Sequence, residues 1–144
     1  MLSRAAGLRH NAAMTERTAT CACAKLTATA TGDPARVSIC HCDACKRRSG
    51  TAFALTSTWA ENQVRVAGET RQFTRVGDSG SAYRGEFCPT CGATVAYRID
   101  ARPGMVSIPV GAFADASFPA PHVEVFAEKA HPWIGKILPG AAQE

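Results

Sequence analysis

Seven cysteines carry the chemistry this chain can do. They fall in three places: Cys21-Ala22-Cys23, Cys40-His41-Cys42-Asp43-Ala44-Cys45, and Cys88-Pro89-Thr90-Cys91-Gly92. A single cysteine is most often a small buried hydrophobe. Here every cysteine sits in C-x-C or C-x-x-C spacing, which suits the chelation of a soft metal ion by thiolates. In Cys88-Pro-Thr-Cys-Gly92 the proline shapes the turn between two sulfurs. The glycine permits positive φ just after the second one, so that backbone N–H groups can face sulfur. Cys21 and Cys23, two apart, would point to one side of an extended strand. A redox C-x-x-C normally opens the helix of a βαβ unit, and no such unit is readable here.

Seven thiols divide naturally into four and three, which fits two zinc ions. Four thiolates close a structural site, whereas three leave an open position for chemistry. The segment Cys40–Cys45 packs three ligands into six residues and can supply the open site alone. Cys21, Cys23, Cys88 and Cys91 would then close the other, stapling together segments with 64 residues between them. The rival division is an ordinary zinc ribbon of Cys42, Cys45, Cys88 and Cys91, which leaves Cys21, Cys23 and Cys40 without a fourth partner. A zinc nucleobase deaminase is disfavoured. His41-Cys42-Asp43 lacks the glutamate that chemistry uses, and Phe87 rather than proline precedes Cys88.

These residues must be held by a framework, and the pattern around them is β. Val64 and Val66, then Val95, Tyr97 and Ile99, then Val106, Ile108 and Val110, then Val123 and Val125 recur with period two. Phe53, Leu55 and Trp59 do the same, with Ser57 interrupting the apolar set. β-Branched and aromatic residues at period two mark half-buried strands. Gly32-Asp33-Pro34, Gly68, Gly77-Asp78 and Pro103-Gly104 carry turn chemistry between them. No segment has a long 3.6-residue pattern. Trp59–Asn62 and Pro132–Ile134 could each hold one helical turn. The expectation is a mainly β domain spanning 20–139, with residues 1–19 as a flexible extension and 140–144 as a tail. Arg4, Arg9 and Arg17 raise the question of a targeting segment in that extension, but Met14 as the natural initiator is the plainer reading.

Composition narrows the partners. With 144 residues, 46% of them hydrophobic and 19% charged, the chain can bury a core and does not read as disordered. It contains no apolar run long enough to span a membrane. The formal charge of +4 counts the cysteines as neutral; seven thiolates and two divalent ions lower it by three, to +1. With neither basic tails nor aromatic residues interleaved with basic ones, nothing argues for nucleic acid. Closely spaced cysteine pairs in a chain that lacks the apolar run of a secretory signal point to metal rather than disulfides, and the expected setting is cytoplasmic.

The pieces C-x-C, C-H-C-x-x-C-[KR]-R-x-x-G and F-C-x-x-C-G resemble the glutathione-dependent formaldehyde-activating enzyme family, which includes centromere protein V-like proteins. They stand here as Cys21–Cys23, Cys40–Gly50 and Phe87–Gly92. Gly111-Ala112-Phe113, Pro121-His122-Val123 and Pro132-Trp133 are similar to the family downstream. The resemblance implies an Mss4-like β-sandwich-type single domain with two zinc ions per chain. Cys21, Cys23, Cys88 and Cys91 would hold the structural ion, and Cys40, Cys42 and Cys45 the catalytic-type one. It implies a carbon–sulfur lyase that joins glutathione and formaldehyde into S-(hydroxymethyl)glutathione, or the reverse. Three thiolates and Zn²⁺ sum to −1, a poor activator of water but a good acceptor of a further soft ligand, such as an incoming thiol. Lys46, Arg47 and Arg48 could offset thiolate charge or grip the glutathione carboxylates, or form a solvated basic face. His41 could move a proton, Trp133 could wall the pocket, and His122 and His131 could add ligands. The alternative is a non-catalytic two-zinc module that binds a macromolecular partner.

Overall fold

Period-two alternation builds two sheets. The structure, a computed structural model, describes residues 15–77 and 79–135 together with a short strand at Ala142–Gln143. The smaller sheet comprises β1 (Glu16–Thr20), β2 (Thr27–Thr31) and β5 (Val64–Ala67), in the order β1-β2-β5. The larger comprises β3 (Arg36–Cys40), β4 (Ala54–Ala60), β6 (Arg71–Val76), β7 (Ala82–Phe87), β8 (Thr94–Ile99), β9 (Met105–Pro109), β10 (Val123–Val125) and β11 (Ala142–Gln143). Its order is β11-β10-β3-β4-β9-β8-β7-β6. β3, β10 and β11 run parallel, and the other pairs are antiparallel. The chain is therefore mainly β, as the alternation predicts.

The sheets bury a core between them. Ala19, Leu26, Ala28 and Ala30 of the small sheet and its turn meet Trp59, Val95, Val106 and Ile108 of the large one. The small residues on β1 and β2 leave room for the fully buried Trp59, whose ring lies 6.3 Å from Phe113 and 6.5 Å from Phe118. Ser57, the apparent interruption in the β4 pattern, is fully buried beside it. Trp59 Nε1 donates to Ser57 Oγ (2.9 Å), and Ser57 Oγ donates to the Ile108 carbonyl (2.9 Å). A core tryptophan needs a partner for its N–H, and a serine supplies it.

The opposite face of the same strands is polar. Thr56 and Thr58 of β4, Ser38 of β3, Ser107 of β9 and Tyr97 of β8 are all buried. Register places Ser38 against Thr56, Thr58 against Ser107, and Tyr97 against Ser107. Thr56 Oγ1 and Tyr97 Oη lie 2.8 Å apart, and Thr58 Oγ1 and Ser107 Oγ 3.2 Å. One face of the large sheet thus covers the core while the other floors a hydroxyl-lined cleft.

Three findings differ from the sequence reading. The small sheet starts at Glu16, ahead of the Thr20 boundary, and β1 pairs with β2 over five residues. The targeting and initiator question at the N-terminus, and most of the tail, lie outside the described residues. Cys21 and Cys23 do not lie on an extended strand but in the turn between β1 and β2. There Ala24 takes φ 67° and donates to the Cys21 carbonyl (3.0 Å). The turn sets the two sulfurs 3.6 Å apart. Finally, one α-helix, α1 (Asp43–Ser49), follows β3. None of its residues is fully buried, so it has no apolar stripe to advertise it. Of the two suggested turns, one forms as a 3₁₀ turn at Glu61–Gln63, because β4 runs on through Ala60, and the other at Pro132–Ile134. No helix among the described residues is long and apolar enough to cross a membrane.

Candidate metal centres

The seven thiols gather into the four-and-three division. The sulfurs of Cys21, Cys23, Cys88 and Cys91 all lie within 4.8 Å of one another, and so do those of Cys40, Cys42 and Cys45. All seven are free thiols, and no histidine among the described residues joins either group.

Two turns build the first group. The β1–β2 turn presents Cys21 and Cys23, and the β7–β8 turn presents Cys88 and Cys91. Gly92 takes φ 80° and donates to the Cys88 carbonyl (2.8 Å), as the C-P-x-C-G pattern requires. Backbone N–H groups aim at sulfur: Leu26 at Cys21 (3.2 Å) and Thr90 at Cys88 (3.4 Å). Cys91 is held down to about 6, chiefly by the Ala93 backbone and then that of Cys23. The Lys25 backbone favours the Cys23 thiolate, but burial and the shared hydrogen bonds of Cys88 and Cys21 push this thiol up to about 11. Four thiolates at about 2.3 Å from one tetrahedral ion would sit about 3.8 Å apart. Cys21–Cys23 at 3.6 Å and Cys23–Cys88 at 3.5 Å match that spacing, so the donor set and geometry fit zinc.

A strand end and a helix start build the second group. Cys40 ends β3, Cys42 caps α1, and Cys45 lies in its first turn. The Cys45 N–H donates to Cys42 Sγ at 3.3 Å. Cys45 is held down to about 5 by its hydrogen bond with Cys40, with help from Cys42 and the Arg48 guanidinium. Cys40 is pushed up, first by the shared hydrogen bond with Cys45 and then by burial. Three converging thiols on a rigid strand–helix corner also fit a zinc ion, with one tetrahedral position left over.

The surroundings of the two groups differ. Cys40, Cys42 and Cys45 line a cleft of about 250 Å³ over the hydroxyl face of the large sheet. Arg48, one turn after Cys45 on α1, lines it too. Its guanidinium carbon lies 4.7 Å above the Tyr97 ring centroid and 5.8 Å from that of Tyr83. The Cys45 thiolate beside it favours its charged form, while Nη2 is buried with no hydrogen-bond partner. Burial pushes Tyr97 up to about 12, so its hydroxyl keeps its proton. Sequence spacing alone could not reveal Tyr83, Tyr97 or Arg75, because only strand register carries them to the cysteines.

The other named residues go elsewhere. His41 is fully buried; its Nε2 lies 2.7 Å from Glu124 Oε1, its ring rests 5.8 Å from Phe53, and it does not line the cleft. Lys46 donates its ammonium to the Lys129 carbonyl (2.6 Å). Arg47 is exposed and lines a neighbouring groove. Trp133 is 75% exposed and stacks on His131, and His122 is exposed.

A family model described as glutathione-dependent formaldehyde-activating enzyme matches residues 16–129. No curated protein matches. Among solved structures, the chain is similar to a crystal structure of a Rhodobacter sphaeroides protein, with 22% identity and a TM-score of 0.51, over 66% of this chain and 85% of that one. That likeness bears on the fold alone.

Proposed function

The chain belongs to the glutathione-dependent formaldehyde-activating enzyme family, and on that premise we propose that the Cys40–Cys42–Cys45 cleft joins a thiol, glutathione, to formaldehyde or a related carbonyl, or catalyses the reverse. One observation carries this reading: Cys40, Cys42 and Cys45 line a cleft over the hydroxyl face of the large sheet. A zinc ion held by three thiolates supplies a soft Lewis-acid position at which a fourth thiol can be kept as thiolate. The residues around it divide the remaining work. Cys45, already held toward the thiolate by Cys40, Cys42 and Arg48, makes the site anionic. Arg48 offsets that charge and supports a second thiolate beside it.

The reaction needs little else. The thiol loses its proton on binding, its sulfur attacks the carbonyl carbon, and the carbon–oxygen π pair becomes an alkoxide. That oxygen regains one proton, so thiol and aldehyde sum to the S-hydroxymethyl product. The Tyr97, Thr56, Thr58, Ser38 and Ser107 hydroxyls line the cleft and can hold the carbonyl oxygen. Tyr97 remains a neutral donor at physiological pH. Cys21, Cys23, Cys88 and Cys91 serve structure, stapling the β1–β2 and β7–β8 turns through a second zinc. Seven free thiols suit a reducing, cytoplasmic setting.

Calorimetry tests this on the zinc-loaded full chain. Glutathione should bind more tightly as pH rises toward its thiol pKa of roughly 8.5–9, because coordination releases a proton. S-methylglutathione, lacking that thiol, should bind far more weakly. Equal affinity for the two would overturn the sulfur-centred reading, and no affinity for either would favour a non-catalytic binding module.

A further inference from the structure

The cleft does not end at the cysteines. A second depression of about 510 Å³ adjoins it, and Ala44, Arg48, Arg75 and Tyr83 line both. The two form one trough that runs past α1. Its far wall follows from sheet register: Phe73 and Arg75 of β6, and Tyr83, Gly85 and Phe87 of β7, share one face by period two. Gly85 leaves room there for the Tyr83 ring. A Cβ at this position would lie 2.8 Å from Tyr83 Cε1 and 2.9 Å from Cζ, so the missing side chain lets the Tyr83 ring lie down and keep the passage open.

The trough has a pronounced charge asymmetry. Arg47, Arg48 and Arg75 line its outer part, and no described residue lining it is acidic. Arg75 makes no ion pair among the described residues. Arg48 is stacked on Tyr97 and Tyr83 beside Cys45, and its Nη2 is buried with no hydrogen-bond partner. Guanidinium groups present a planar fork that matches a carboxylate, and an aromatic shelf fixes its orientation. Phe73, Phe87 and Ala44 add apolar wall for the methylene and peptide parts of an arm.

We propose that Arg48 and Arg75 form a carboxylate-recognition subsite in this trough, so that the thiol it accepts carries a carboxylate on a peptide-length arm. A small neutral thiol would meet the cysteines but leave the arginines unused. This inference rests on the thiol-accepting reading of the cleft and adds the rule by which the thiol is chosen. It also reassigns the basic run after Cys45: Arg48 reads the ligand, whereas Lys46 ties α1 to Lys129.

Calorimetry on the zinc-loaded full chain with three probes tests it: glutathione, its diethyl ester (thiol kept, carboxylates masked) and S-methylglutathione (the converse). A charge-assisted bond to a carboxylate corresponds to about 10- to 100-fold in affinity. Glutathione should therefore bind at least about tenfold more tightly than the ester. Arg75→Gln should reduce glutathione to the ester's level while leaving the ester and the zinc content unchanged. Arg48→Gln should do the same, but because Arg48 also touches Cys45, Arg75→Gln is the decisive variant. Equal binding of glutathione and ester, or an unchanged ratio in Arg75→Gln, overturns the subsite and leaves the thiol reading standing. If S-methylglutathione binds as well as glutathione and Arg75→Gln weakens both, the subsite stands and the sulfur-centred reading falls. If no probe binds, both fall.

Discussion

Replacing Cys88 and Cys91 together with serine removes one whole arm of the four-thiol group. No ion can then bridge the β7–β8 turn to Cys21 and Cys23. The link is long-range, since Cys23 and Cys88 are 65 positions apart with their sulfurs at 3.5 Å. In the chain-entropy treatment a cross-link closing a loop of that length removes about 14–15 cal/mol/K from the unfolded state, about 4 kcal/mol at 25 °C. Whole domains hold only about 5–15 kcal/mol. For a domain of this size 1 kcal/mol moves the midpoint by roughly 3–5 °C, so the double variant should melt about 12–20 °C below the zinc-loaded parent. Cys42→Ser should behave differently. The three-thiol group lies within six residues that β3, its pairing with β10 and α1 already fix, so it closes no long loop. Differential scanning calorimetry, paired with zinc analysis, reads both. The double variant should retain about one zinc and melt low; Cys42→Ser should melt within a few degrees of the parent and hold its second zinc weakly. Equal losses from the two changes, or a double variant melting within about 3 °C of the parent, would refute the division of labour between the groups.

Three other substitutions probe the framework. Trp59→Phe removes the N–H donated to Ser57 and leaves space in a fully buried site; it should cost about 2–3 kcal/mol in urea unfolding with zinc content unchanged. Glu124→Ala strands His41 Nε2 without its 2.7 Å partner in a fully buried position, and should cost about 1–3 kcal/mol by the same assay. Gly85→Ala should push the Tyr83 ring from its place and with it the shelf under Arg48; glutathione affinity should fall severalfold by calorimetry while both zinc ions remain.

The chain reveals its metal chemistry more readily than its cleft. Cysteine spacing favours the four-and-three grouping of sulfurs over the ribbon, because chelating arms are local and Cys88-Pro-Thr-Cys-Gly92 writes its turn into the sequence. Strands β5, β8 and β10 are legible because Val64, Val95 and Val123 begin alternating runs. The α1 helix is not, for Asp43–Ser49 rides on the surface of the corner with no residue fully buried. Ser57 reads as a flaw in a core strand until its bonds to Trp59 and Ile108 are seen. Thr56 and Thr58, on the face of β4 opposite Trp59, floor a buried cleft that no local pattern announces. Arg75, Tyr83 and Tyr97 lie far along the chain from Cys45, and no local pattern links them. Pairing of β6 through β9 makes them neighbours, and such pairing depends on the whole sheet.

The central claim is that the Cys40–Cys42–Cys45 group keeps a position open for a thiol. Crystals of the zinc-loaded protein soaked with glutathione test it most directly. The account predicts an ion held by these three cysteines, with the glutathione sulfur as its fourth neighbour at about 2.3 Å and a carboxylate against Arg48 or Arg75. A fourth ligand from the protein itself, with glutathione absent from the cleft, would contradict it.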